Sequence, residues 1–301
     1  METWPPSRGT SGSVILQTVR DILFKTTEFF QSRGIATSRL DAELLIAEAL
    51  GFDRLKLYLN LDRPLTEAEL EHARAFVRRR ASREPVAYIL GRREFLSRTF
   101  EVAPGVLIPR PETELLVEQA EAELKRRFAS VDSGYRILEF GIGSGCVAVS
   151  LCLALPDAKV VATEISPAAS KIAARNAENH GVSDRVDIRL QPDFHRIEGP
   201  FHAIVSNPPY VDPAVKETLD PEVALFEPAE ALYAENNGLR WYQFLIESAA
   251  ALLLPGGFLL MEIGAGQHEA ISQFAATHGM TVEKIVKDYA GIPRIIRLGL
   301  V

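Results

Sequence analysis

Asn207-Pro208-Pro209-Tyr210 is the stretch of this sequence whose residue types, taken together, do the most specific chemistry. It follows directly on His202-Ala203-Ile204-Val205-Ser206, which reads as a strand, so the tetrapeptide falls at a strand's carboxyl end. Two consecutive prolines stop the hydrogen-bond ladder and stiffen the backbone there. The side-chain oxygen of Asn207 and the carbonyl oxygen of Pro208 can accept both hydrogens of one planar NH2 group, and Tyr210 can pack on its plane. An amide-type nitrogen is a poor nucleophile because its lone pair is delocalised. A site for it must therefore work by positioning, holding the nitrogen in line with an electrophile and favouring the charge that develops there. No strong base is needed, since the proton becomes acidic only as the new bond forms.

The electrophile is suggested by a second stretch. Arg136-Ile137-Leu138-Glu139-Phe140 reads as a strand entering the tight turn Gly141-Ile142-Gly143-Ser144-Gly145, after which a helix begins. Backbone comes close to a ligand at such a junction. The glycines follow G-x-G-x-G, and Cys146 stands where the third glycine of a dinucleotide fingerprint would fall, so a ligand without a pyrophosphate fits better. Glu164, with Ile165 beside it, ends the next strand at the spacing where an acid accepts hydrogen bonds from ribose hydroxyls. Asp193-Phe194 follow the third strand, where an acid can face an adenine amino group and an aromatic ring can cover the base. An ordinary loop acid and a buried Phe would give the same letters. Together with the nitrogen-positioning tetrapeptide, these residues point to S-adenosylmethionine, whose sulfonium methyl is the electrophile.

The elements that must hold these residues can be read along the chain. At 301 residues it suits two domains. Residues 1 to 12, rich in Pro, Ser, Gly and Thr, read as a flexible tail. Over residues 13 to 84 apolar residues recur at helical spacing: Val14, Val19, Leu23; Leu40, Leu44, Leu45, Ala49; Leu70, Ala73, Phe76, Val77. Ser38 with Asp41 and the capping box Thr66-Glu67-Ala68-Glu69 mark starts, and Gly34 and Gly51 mark stops. This helical domain carries no catalytic constellation and reads as a recognition module. Residues 85 to 109 change character: Tyr88-Ile89-Leu90-Gly91 and Arg98-Thr99-Phe100-Glu101-Val102 alternate like short strands, predicting a hairpin-like linker. From residue 110 to 301 helices and strands alternate. Two closing β-stretches, Val282 to Lys287 and Arg294 to Leu300, leave no room for a crossover helix. The expected fold is α/β: a Rossmann-like, mostly parallel sheet whose last strand is antiparallel. That is the sheet of a class I methyltransferase, with its ligand at the strands' carboxyl ends.

Composition narrows the function classes. Apolar residues make up 47% and charged residues 24%, the mix of a globular protein. The net charge of −7 argues against a general duplex-DNA binder. Eight Arg between Arg74 and Arg98 stand against Glu84 and Glu94, a basic stretch that either faces an acidic partner or RNA or forms a solvated helix face. Cys146 and Cys152 lack zinc or disulfide spacing, and the six histidines are scattered, so no metal is implied. The start of the chain lacks the pattern of a signal peptide, and Pro255-Gly256-Gly257 breaks the longest apolar stretch. A cytoplasmic protein without membrane contact, and a monomer, are the expectations.

From about Leu40 onward the sequence resembles the PrmC/HemK-type protein-(glutamine-N5) methyltransferases that modify peptide chain release factors. The resemblance is carried by Tyr88-Ile89-Leu90-Gly91 with Glu94-Phe95, by Phe100, and by Leu107-Ile108-Pro109-Arg110-Pro111-Glu112-Thr113-Glu114. It continues in Asn207-Pro208-Pro209-Tyr210, Glu227-Pro228-Ala229 with Ala231-Leu232, and Glu262-Ile263-Gly264. It implies that the acceptor is the glutamine of a Gly-Gly-Gln loop in release factors, that the helical domain helps dock that partner, and that Phe100, Glu139 and Phe194 belong to the cofactor site. The sequence departs from the family at Glu139 and Glu164, where Asp is frequent, and at Ile142, where Thr is frequent. The rival reading is an adenine-N6 nucleic-acid methyltransferase, because the adenine amino group is also planar and conjugated. The acidic net charge and the Ile108-Pro109-Arg110-Pro111-Glu112 segment weigh against it.

Overall fold

The computed structural model describes residues 17–129 and 134–301, so the expected tail over residues 1 to 12, and Val14, lie outside the described residues. The chain divides after Gly91 into two compact units.

The first unit is helical: α1 (Val19–Ser32), α2 (Ser38–Ala49), α3 (Arg54–Leu59), α4 (Glu67–Ala81) and α5 (Val86–Leu90). The box at Thr66 and Glu69 caps α4 as its letters predict, and a second box, Thr18 with Asp21, caps α1. Phe30, Leu45, Ile46, Leu57 and Val77 fill the core. Arg80 is buried across it, 2.7 Å from Asp41. Part of the basic stretch is neutralised locally: Arg74 pairs with Glu67 and Glu71, Arg78 with Glu71, and Arg79 with Glu84 just beyond the helix. Tyr88-Ile89-Leu90-Gly91, expected to alternate like a short strand, instead falls in the helical turn Val86–Leu90 and its Gly91 cap. Pro85 presets the entry, Gly91 at φ +70° closes it, and Ile89 packs into the helical core, so this stretch belongs to the first unit and not to a linker. Five residues are too few for periodicity to tell the two apart.

The second unit opens with an antiparallel hairpin, β1 (Arg92–Phe95) and β2 (Arg98–Glu101). Leu96 and Ser97 turn it with φ of +47° and +58°. Then follow α6 (Pro111–Arg127), β3 (Arg136–Phe140), α7 (Cys146–Ala154), β4 (Lys159–Glu164), α8 (Pro167–Asn179), β5 (Val186–Leu190) and β6 (Phe201–Ser206). Three short pieces come next: α9 (Pro221–Phe226), α10 (Ala229–Leu232) and the distorted turn α11 (Glu235–Gly238), in which Asn236 and Asn237 are left-handed. The chain closes with α12 (Arg240–Leu252), β7 (Leu253–Glu262), α13 (His268–Thr277), β8 (Met280–Lys287) and β9 (Pro293–Leu300).

Seven strands form one sheet in the order β5-β4-β3-β6-β7-β9-β8. Pairs from β5 to β7 are parallel, and β9 runs antiparallel to both β7 and β8. Helices cover both faces. Ile137, Val205 and Leu260 meet Leu116, Val147 and Leu151 on one side, while Leu138, Ile204 and Met261 meet Tyr242, Leu245 and Ile271 on the other. Central β6 is buried at all six positions, which is why its middle, Ala203-Ile204-Val205, is apolar without alternation, while His202 and Ser206 are buried with hydrogen-bond partners. Chain order reverses between β3 and β6, and a ligand crevice opens beyond the carboxyl ends of strands at such a switch point.

One ion-pair cluster ties the last strand to the sheet's helical cover. The Glu123 carboxylate on α6 accepts from Arg126 at 2.5 Å, from Arg127, and from Arg297 of β9 at 2.9 Å. The Arg126 bond first, then Arg127 and Arg297, hold its pKa down at about 2 against the burial that opposes them. A depressed carboxyl stabilises the fold above its ordinary pKa, and that contribution is lost as pH falls through about 2. Glu123→Gln is therefore expected to cost about 1–3 kcal/mol near neutral pH, discounted for the exposed Arg126. In denaturant melts the deficit should shrink as the solution is acidified; a deficit that grows would contradict this account.

Candidate active site

A cleft open to solvent lies where the sheet topology places it, and its walls come from the ends of β3, β4 and β6. After β3 the chain turns through Gly141, Gly143 and Gly145 at φ +74°, +56° and +81°. The turn is pinned to β4, with Gly141 N–H and Ile142 N–H donating to the Thr163 carbonyl at 3.1 and 3.0 Å. A Cβ on Gly141 or Gly143 would meet nothing within 4 Å, and both residues line the cleft. A Cβ on Gly145 would press on the Ala173 backbone at 3.2 Å, so that glycine lets α7 and α8 approach.

Glu164 closes the same end. It is 8% exposed and gathers three backbone donors at 2.9 Å each: Gly143 N–H on one oxygen, Ile165 N–H and Ser166 N–H on the other. A carboxylate has about four acceptor sites, so one remains for a ligand. Ile165, Gln191, Pro192, Val106 and Leu107 border it, and Phe140 and Trp241 supply aromatic walls with centroids 5.1 Å apart.

Asn207 and Pro209 line the cleft's other end. Ser206 Oγ donates to the Phe140 carbonyl at 2.9 Å, locking the β6 terminus beside the glycine turn. Asn207 Nδ2 donates to Thr113 Oγ1 at 3.0 Å, and Thr113 Oγ1 donates to Glu262 Oε2 at 2.6 Å. The other Glu262 oxygen takes the Tyr210 hydroxyl at 3.4 Å. Burial pushes the Glu262 carboxyl up to about 7 and lifts the Tyr210 phenol above its ordinary value.

The backbone after Asn207 is held with equal care. Val211 N–H donates to the Leu232 carbonyl and Ala234 N–H to that of Val211, both at 2.9 Å. Gln267 Nε2 donates to the Tyr210 carbonyl at 3.1 Å, while Gln267 Oε1 accepts from Gly264 N–H at 3.0 Å. Glu227, 7% exposed, accepts from Arg110 at 2.6 Å and from Ile108 N–H at 3.2 Å. A Cβ on Gly238, whose φ is +80°, would collide with the Tyr210 carbonyl oxygen. Gly238→Ala should therefore displace Tyr210 and cut turnover about tenfold or more, with a lower melting temperature. Wild-type turnover in steady-state assays would show that Tyr210's position is not critical.

Of the residues singled out from sequence, Gly141, Gly143, Glu164, Ile165, Asn207 and Pro209 line one cleft. The rest do not. Phe100 is 0% exposed and packs edge-on to Phe95 in the core, because strand alternation turns it inward. Glu139 is buried beneath the turn with its carboxyl pushed well above the ordinary range by desolvation. Ile142 and Ser144 are buried and Gly145 serves helix packing, since the turn faces only its first and third residues to the cleft. Asp193 Oδ1 is used locally, accepting from His195 N–H at 2.8 Å, and Phe194 stands behind Phe140 at 5.7 Å. Pro208 is buried, and Tyr210 faces Glu262. Sequence reasoning missed Trp241, Gln191 and Asn176, whose amide joins Glu101 to the Ser144 carbonyl. It quoted Thr113, Glu227 and Glu262 without a role. Cys146 and Cys152 are buried free thiols, raised by desolvation to about 12 and 11, as expected of inert core residues. Among the described residues no His, Cys, Asp and Glu group could hold a metal, and no helix is long and apolar enough to cross a membrane.

A seven-stranded, mostly parallel sheet with an antiparallel end, a glycine turn after its first strand and an acid after its second define a class I methyltransferase. Residues 21–91 match the PrmC N-terminal domain family, and residues 111–273 match the Methyltransferase small domain family. The release factor glutamine methyltransferase of Geobacter sulfurreducens is 41% identical over 93% of this chain and 95% of its own. This chain belongs to the release factor glutamine methyltransferase family. A Rickettsia felis bifunctional methyltransferase is 36% identical over 92% of this chain, which spans only 57% of that longer protein. Among solved structures, the hMettl16 catalytic domain bound to MAT2A 3′UTR hairpin 6 shares the fold, with a TM-score of 0.55, 16% identity, and coverage of 73% of this chain and 81% of that one.

Proposed function

We propose that this chain transfers the methyl group of S-adenosylmethionine to the side-chain amide nitrogen (N5) of the glutamine in the Gly-Gly-Gln motif of peptide chain release factors, in the cytoplasm, promoting translation termination. The observation that carries the reading is Asn207 at the cleft's edge, its Nδ2 spent on Thr113 and its Oδ1 left to accept from a planar NH2. Family membership supports the substrate.

The cleft's donor set fits the cofactor. Gly141 and Gly143 leave a cradle with open space where a Cβ would project, Glu164 keeps an acceptor for ribose hydroxyls, and Ile165 with Leu107 and Val106 offers apolar faces for a purine. When bound, S-adenosylmethionine supplies an activated methyl. Asn207 Oδ1 and the Pro208 carbonyl would accept the two N–H bonds of the substrate amide, fixing its plane and stabilising the positive charge that grows on nitrogen. Rigidity comes from the two prolines and from the Ser206, Gln267 and Val211 hydrogen bonds around them. Tyr210, turned toward Glu262, contributes by holding this wall rather than as a base. The first unit would dock the release factor, and its exposed Phe24, Leu55 and Leu59 offer apolar contact for that purpose.

The reading is tested by offering labelled S-adenosylmethionine with a folded, unmodified release factor, with the same factor carrying Ala in place of the motif glutamine, and with adenine-containing DNA and RNA. Label should enter the first alone. Incorporation into nucleic acid would favour the adenine-N6 alternative and overturn the substrate.

A further inference from the structure

The side-chain amide of Asn207 is nearly symmetric in shape, yet its two ends do opposite work, since Oδ1 accepts hydrogen bonds and Nδ2 donates them. Turned the wrong way, it would set its own NH2 against the substrate's NH2 and hold nothing. Something must therefore choose its orientation. Thr113, on the first turn of α6, bonds Asn207 directly, and Glu262, the last residue of β7, bonds Thr113 from behind. Thr113 is 3% exposed and Glu262 1% exposed. The Thr113 hydroxyl has a single proton. It is committed to Glu262 Oε2 at 2.6 Å, so towards Asn207 the hydroxyl can only accept, and it does so from Nδ2 at 3.0 Å.

We propose that Thr113 and Glu262 are positioning residues that polarise this hydrogen-bond chain and so keep Asn207 with Oδ1 directed to the acceptor nitrogen. The proposal rests on the reading of Asn207 given above.

The chain has a pH sense. Burial first, and the charge of Glu112 on α6, raise the Glu262 carboxyl to about 7, against the Thr113 and Tyr210 hydrogen bonds and Arg294 on β9. Tyr242 on α12 and Cys146 on α7 face the same carboxyl electrostatically. Ionised Glu262 can only accept, which forces the Thr113 proton towards it. Protonated Glu262 can donate to Thr113, whose own proton is then free to turn to Asn207 and favour the flipped amide. Turnover should therefore rise as pH is taken up through about 7.

The test uses the full chain and a release factor. Thr113→Val should lower kcat by about 10–100-fold with little change in KM for S-adenosylmethionine. Thr113→Ser, which restores the hydroxyl, should return kcat to within about threefold of wild type, a rescue that mere packing would not produce. Glu262→Gln should flatten the rise of kcat across neutral pH. A second readout needs neither substrate nor Thr113→Val: with isotope-labelled asparagine, the Asn207 side-chain amide signal, identified by its loss in Asn207→Ala, should shift through neutral pH in the wild type and stay still in Glu262→Gln. Wild-type kcat in Thr113→Val, a Thr113→Ser variant as poor as Thr113→Val, or an Asn207 signal that ignores pH would each overturn the proposal. A wild-type enzyme that leaves the release factor unmethylated would instead overturn the substrate reading, and the Asn207 signal then decides the positioning role by itself.

Discussion

Asn207→Ala is expected to lower kcat by about 10²–10⁴-fold while leaving the affinity for S-adenosylmethionine within about threefold of wild type. The size follows from what the side chain replaces. An amide nitrogen has no available lone pair in its ground state, so its reactivity depends on being held with its N–H bonds engaged and its plane fixed. Deleting Asn207 removes one of the two acceptors and the only one on a side chain. Cofactor binding is expected to rest instead on the glycine turn and Glu164, at the ends of β3 and β4, which the substitution does not touch. The split between kcat and cofactor affinity distinguishes lost positioning from a damaged fold. Turnover within about tenfold of wild type would show that the tetrapeptide is a structural turn.

Glu164→Ala should produce the opposite signature. The carboxylate holds three backbone N–H groups in a nearly buried corner of the cleft and offers its last acceptor to a ligand. Charge-assisted hydrogen bonds of this kind contribute about 1.5–3 kcal/mol each. Removing the group loses the ligand's bond and also loosens the turn that carries Gly143. The dissociation constant for S-adenosylmethionine should rise about 10²–10³-fold by calorimetry, with kcat at saturating cofactor much less affected. An unchanged dissociation constant would mean that Glu164 only staples the turn.

The architecture of the second unit was legible because it obeys simple rules. The apolar run Ala203-Ile204-Val205 of β6 reflects cover on both of its faces, and the two closing stretches are too close together for a crossover, which makes them antiparallel. Tyr88-Ile89-Leu90-Gly91 reads as a strand because one helical turn and one short strand share the same letters, and only the Pro85 and Gly91 boundaries decide. Within the site, Gly141, Gly143, Glu164 and Asn207 were readable because each sits directly at a strand end, where position in sequence implies position in the cleft. Gly145 follows the same pattern, but its contact is Ala173 on α8, a neighbour no local spacing reveals. Trp241 begins an amphipathic helix and looks like any core aromatic.

Thr113 and Glu262 show where sequence reasoning reaches its limit. They lie 149 positions apart and meet only because β7 pairs with β6 and α6 begins beside them. The same folding brings Arg110 to Glu227, 117 positions on. The segments carrying Thr113 and Glu262, separate marks of the family resemblance, thus meet beside Asn207. Their separate spacings say nothing of this, since the contacts depend on strand order rather than on local pattern.

The most direct test of the central claim is to incubate the purified protein with S-adenosylmethionine and an unmodified release factor, then map the product by peptide mass spectrometry. A single added methyl on the side-chain amide nitrogen of the Gly-Gly-Gln glutamine is the predicted result. A methyl on any other residue, or none on the release factor while adenine-containing nucleic acid is modified, would contradict it.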